Sequence, residues 1–141
     1  MNLRGMVVKK AQRFVLGMVF IAASSACLAQ TVGVNRTAVL TADISVPGRE
    51  AVVSRVAVAP GGKLGWHTHP GDEIAYVESG VLTVLVAGKT EQAVAAGGSF
   101  VVPAGNVHSV RNDGNVPVQL VTVHIVQKGQ PLAAPAVPPA N

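Results

Sequence analysis

With 141 residues, the chain has room for one domain rather than two. Hydrophobic residues at 49% and charged ones at 13% exclude a disordered chain, and the wealth of Val, Ile and Thr over strong helix formers favours strands. The net charge of +4 does not mark a nucleic-acid binder: Arg4, Lys9, Lys10 and Arg13 account for it, and from Gln30 onward seven basic residues balance seven acidic ones.

Those four basic residues open a three-part pattern. They precede the apolar run FVLGMVFIAA, Phe14 to Ala23, and the small-residue stretch SSACLAQ. This is the layout of a secretory signal peptide over residues 1–29, cut after Ala29. It directs the protein to the periplasm or the exterior, with no membrane attachment once the signal is removed. The apolar run is short for a bilayer span, which sets the anchor alternative behind the signal reading. No Arg-Arg pair is present there, so export precedes folding. Cys27, the sole cysteine, is either part of the signal or a lipidated N-terminus; Ser24 stands where a lipoprotein signal prefers Leu. After cleavage the chain has no thiol, hence no disulfide and no cysteine nucleophile.

Residues 30–48 read as a leader with one strand near Thr37 to Leu40. EAVVSRVAVAP then reads as a strand ended by Pro60-Gly61-Gly62. Further short β-branched runs follow up to residue 128, each bounded by Gly, Pro, Asn or Asp, so the region 49–128 is expected to be an all-β sandwich or barrel. NDGN, Asn112 to Asn115, predicts a hairpin. Residues 129–141 are rich in Ala and Pro, which predicts an extended, poorly ordered tail.

The chemistry gathers in GGKLGWHTHPGDEIAYVESG. His67 and His69 are two apart and share a strand face. Glu73 has the same parity and returns to that side after the Pro70-Gly71-Asp72 turn. His108 lies on a later strand. Three imidazoles and a carboxylate converging inside a barrel make a divalent-metal site. His124, in the last strand, is a candidate supporting or acid/base group beside it. Trp66 and Tyr76 have the opposite parity and are assigned to packing. Asp72 is read as a turn residue.

The spacing resembles the cupin family. Gly61, His67, His69, Glu73 and Gly80 fit its first motif at every gap, and Gly97, Pro103, Gly105, His108 and Asn112 fit its second. The resemblance implies a small jelly-roll (double-stranded β-helix) barrel in which His67, His69, Glu73 and His108 ligate one divalent transition metal ion, Mn, Fe, Zn, Cu or Ni. The quercetin-dioxygenase-like small cupins suggest an oxygenase acting on a small phenolic or enol-type ligand, in keeping with a pocket wall expected to be Val, Leu, Ile and Ala. A non-catalytic module that binds a metal or small ligand is the alternative; an isomerase or epimerase ranks last, for want of acid/base residues. Cupins commonly pair, so a homodimer is expected.

Overall fold

The computed structural model describes residues 31–140. Residues 1–29, read above as a signal peptide and including Cys27, lie outside the described residues. Among these, every regular element is a strand: β1 Val32–Asp43, β2 Arg49–Thr68, β3 Gly71–Ser79, β4 Val81–Val86, β5 Gln92–Ala95, β6 Ser99–Val102, β7 His108–Arg111, β8 Val118–Gln127 and β9 Ala134–Pro135. They form one sheet with the path β5-β4-β7-β2-β8-β3-β6, while β1 and β9 pair with β2 off that path.

The two ends of the path, β5 and β6, are consecutive in the chain, joined by Ala96 to Gly98. A sheet whose edges are tied by so short a turn has to curl, and the jelly-roll barrel follows. The turn is held by Val77 N–H to Gly98 O at 2.9 Å and Gly97 N–H to Val77 O at 2.8 Å. Strand alternation then decides what the barrel holds. β3 reads buried-exposed throughout, sending Glu73, Ala75 and Val77 inward and Asp72, Ile74 and Tyr76 outward. The inward apolar set, with Val58, Val77, Leu82 and Val118 fully buried, packs one end of the barrel. The buried histidines gather where this apolar set gives way.

Three local expectations are corrected. The strand does not stop at Pro60-Gly61-Gly62. β2 bends there, leaving β8, which it pairs through Arg49 to Val58, and taking up β7 from Lys63 to His67. Backbone bonds from Gly61 N–H to Asn112 O (3.0 Å) and from Asn112 N–H to Gly62 O (2.9 Å) carry the ladder across the bend. NDGN does not close a hairpin, because β7 and β8 each pair with β2 and not with each other. Its local turn is satisfied by Gly114 N–H on Asn112 Oδ1 at 2.9 Å, while Asn112 Nδ2 donates to Val58 O (3.0 Å) and Val116 O (2.8 Å). The strand expected at Thr37 to Leu40 is the middle of the longer β1.

The tail departs furthest from expectation. Instead of trailing free, residues 134 and 135 add a strand opposite Thr68 and His67, and Ala136 N–H bonds Trp66 O at 2.9 Å. Composition gave no sign of this, since the contacts are made by backbone atoms that every residue type carries.

Candidate metal centre

His67 near the end of β2 and His69 just past it alternate with half-buried Trp66 and Thr68, so both rings enter the barrel. Gly71 then brings β3 hard against β8; a Cβ at this position would fall on the Ile125 carbonyl. With no side chain there, β3 can deliver Glu73 to the same spot, opposite His124 of β8 and Val102 of β6. Gly80, at φ 78°, turns the chain out of β3; a Cβ would meet the Val118 side chain at 2.9 Å. His108 begins β7, directly across from His67. Gly105 N–H donates to His69 O at 3.0 Å, tying the two motif segments together.

The four side chains predicted as ligands are all buried, and their ligand atoms lie within 4.8 Å of one another. Each histidine is held by the ring nitrogen that faces away. His67 Nδ1 donates to Gly65 O at 2.7 Å, His69 Nδ1 to Leu132 O at 2.6 Å and His108 Nδ1 to Asn106 O at 2.9 Å. A carbonyl oxygen only accepts, so each Nδ1 carries its proton, and in the metal-binding form of the ring Nε2 turns a lone pair inward. There the lone pairs meet a carboxylate: Glu73 Oε2 lies 3.0 Å from His108 Nε2 and 3.3 Å from His69 Nε2. His69 Nε2 is buried without an aligned hydrogen-bond partner. Inward-facing lone pairs and a buried carboxylate repel unless a cation lies among them. The residues therefore fit a metal ion on their own chemistry, and the set of three imidazoles and one carboxylate suits a divalent transition metal.

The electrostatics agree. Burial pushes the His67 imidazole down to about 4, helped by neighbouring His108, so the ring stays neutral. Burial alone would raise the Glu73 carboxyl, but the close approach of His108 Nε2 and His69 Nε2, with a proton or a cation shared between them and the carboxylate, outweighs it and holds the group well below the usual carboxylate range. The glutamate is thus an anion in a dry site.

His124 is fully buried and stands against the centre, its ring centroid 4.3 Å from that of His69 and its Nε2 3.7 Å from Glu73 Oε1. Neither ring nitrogen has a hydrogen-bond partner. Burial lowers it to about 4 against the pull of Glu73. Asp72, expected in a turn, is instead a residue of β3 opposite Ile125, because the strand resumes at Gly71; its carboxylate faces outward and accepts from Ala104 N–H at 2.9 Å, and Tyr76 is half-exposed on the same outer face.

Two contributors were absent from the sequence reading. Leu132 supplies the carbonyl that sets His69, from a distance of 63 residues, and no side-chain signal reports a backbone acceptor. Arg36 lies on β1 opposite Val56 and so points inward. It lines a pocket of about 330 Å³ together with Trp66, His67 and Leu132 to Pro135. Strand parity, Val34 and Arg36 alternating with Asn35 and Thr37, was the signal available for it.

Residues 54–124, about half of the chain, match the cupin domain family (Cupin_2). The chain belongs to the cupin family. Germin-like protein subfamily 2 member 1 from Arabidopsis thaliana is 35% identical over 86 residues; the match covers 55% of this chain and 39% of that protein, so this cupin spans about two fifths of its relative. Among solved structures, oxalate oxidase in complex with the substrate analogue glycolate is 28% identical, covering 72% of this chain and 54% of that one, with a TM-score of 0.59. A cupin-like protein from Thermotoga maritima superposes with a TM-score of 0.62 at 22% identity, over 73% of this chain and 75% of that one.

Proposed function

We propose that this cupin is an exported, metal-dependent oxidoreductase that brings a small oxygen-donor substrate together with dioxygen at one divalent transition metal ion. The observation that carries the reading is the shared tautomer of His67, His69 and His108, whose Nδ1–H groups are all tied back to carbonyls while their Nε2 atoms face Glu73. Those four residues hold the metal. When bound, the ion supplies a Lewis acid and, for a redox-active metal, an electron relay between substrate and dioxygen.

The chain's own residues do the rest. The three carbonyls fix ring orientation, so the site is set before ligand arrives. Val110, Leu120 and Phe100 line the inner cavity, and its free space, about 10 Å³, admits a water molecule and little more. Substrate therefore reaches the centre from the 330 Å³ pocket beside His67. His124, neutral and unpartnered next to Glu73, is placed to take or return a proton. Similarity to oxalate oxidase supports oxidative chemistry over a purely ligand-binding role.

Elemental analysis of the purified protein, beside a His67→Ala/His108→Ala variant, tests the reading. About one metal per chain, lost in the variant, together with dioxygen uptake on substrate addition, is expected. Metal without turnover would leave a binding module; no metal in either form after reconstitution would end the metal reading. Export is tested by N-terminal sequencing of the mature chain, which should begin at Gln30.

A further inference from the structure

Arg36 is the one basic side chain facing the barrel interior among the described residues that line the site, and it stands at a boundary. It borders both the outer pocket of about 330 Å³ and the inner cavity shared with His67, Glu73 and His108. Its Nη1 is buried and makes no hydrogen bond among the described residues. Desolvation acts against its charge, and Glu73 is near enough to support it through space without a direct contact. A guanidinium presents five donors that demand acceptors when taken out of water. Nη1 is shielded, while the side chain as a whole is half-buried and lines an open pocket.

The charge balance points the same way. With the histidines neutral, a divalent ion and Arg36 together set three positive charges against the single negative charge of Glu73. A neutral ligand leaves that surplus whole in a buried site, whereas a monoanion halves it.

We propose that Arg36 is an anion-binding residue, and that the ligand of this centre is a small carboxylate whose carboxylate group sits on the guanidinium while a second oxygen faces the metal-ligand cluster. This rests on the metal reading above and replaces the phenolic or enol substrate expected from an apolar wall, which took no account of Arg36. A hydroxy- or oxo-acid of a few carbons carries both groups, a carboxylate for the guanidinium and a second oxygen for the metal-ligand cluster, and Arg36 and His67 line one pocket. The bidentate match between guanidinium and carboxylate supplies the orientation.

The test is isothermal titration of the full, metal-loaded protein with glycolate and, separately, with catechol as an uncharged probe. Arg36→Gln is expected to weaken glycolate binding roughly 10- to 100-fold, the loss of one charge-assisted interaction, with metal content and catechol binding unchanged. Arg36→Lys, which keeps the charge but not the fork, is expected to fall between Gln and the wild type, and it serves if the Gln variant melts early. Glycolate affinity within twofold of the wild type in Arg36→Gln overturns the proposal. So does a parallel loss of glycolate and catechol, which would mean that Arg36 only balances Glu73. Absence of metal in the wild type after reconstitution defeats the metal reading itself and this proposal with it; one metal per chain with no effect of Arg36 defeats this proposal alone.

Discussion

Ending the chain at Gly129 should weaken metal binding without unfolding the barrel. The cut removes the Leu132 carbonyl that accepts from His69 Nδ1 at 2.6 Å, the pairing of Ala134 and Pro135 with β2, and the Ala136 N–H bond to Trp66 O. Little apolar surface goes with it, since Ala133, Ala134, Pro135 and Val137 are exposed and Leu132 is only half-buried. The cost in fold stability is a few backbone hydrogen bonds at about 1 kcal/mol each, or a lowering of Tm on the order of 10 °C. The cost in metal affinity is larger in kind. A ligand imidazole that loses the acceptor on its other nitrogen is free to turn and to change tautomer, and such losses lower affinity about 10- to 100-fold. Competition against a chelator of known affinity reads this directly. A chain ending at Val137 keeps every one of these contacts and is the control, expected to bind like the intact protein. If the chain ending at Gly129 holds metal as tightly as the control, the Leu132 carbonyl does not set His69 and the argument fails.

Other consequences are open to simple measurement. For metal-free protein, His67 and His124 titrate near 6.5 when unfolded but only at about 4 when folded, so the unfolded state binds more protons between those values. Stability should therefore be level above about pH 7, fall as pH drops from 6.5 toward 4 by up to about 3 kcal/mol per ring, and level off below; urea melts at pH 7.5 and pH 5 that coincide would contradict this. The depressed Glu73 acts in a lower window, its contribution being lost as pH falls beneath the ordinary carboxylate range. Asn112→Ala should cost about 2–4 kcal/mol in chemical denaturation, since the 2% exposed side chain leaves Val58 O, Val116 O and Gly114 N–H without their partner. We also expect a dimer through the outer face, where Leu40, Val53, Val123, Ile74 and Val101 stand side by side across five strands, with Leu40, Ile74 and Val101 at 51%, 44% and 58% exposure. Light scattering should give twice the chain mass, and Ile74→Lys should give a monomer.

What could be read from the sequence is whatever lay in residue types at fixed short spacing. His67, His69 and Glu73 announce a shared face because side chains alternate along a strand, and His108 follows from its place in the second motif. Asn112 was legible as a motif residue but not in its task, which is to bridge the β2 bend. The hairpin expected at NDGN failed because a turn sequence specifies a local reversal and not which strands pair beyond it. The bend at Pro60 to Gly62 looked like an end because Pro and Gly weaken a ladder; the compensating bonds come from Asn112, fifty residues on. Arg36 could have been placed by parity, had β1 been drawn at its full length. The docking of the tail was beyond reach, since its decisive atom is a carbonyl.

Leu132 follows His69 by 63 residues, and this gives the centre a history as well as a shape. In chain order all four ligands, and the strands that carry them, come before the acceptor that fixes one of them. A barrel whose last segment is undocked would have its ligands but leave one ring free to rotate. Hold on the metal is thereby tied to the docking of a segment that carries no ligand, so loosening the tail would loosen the centre.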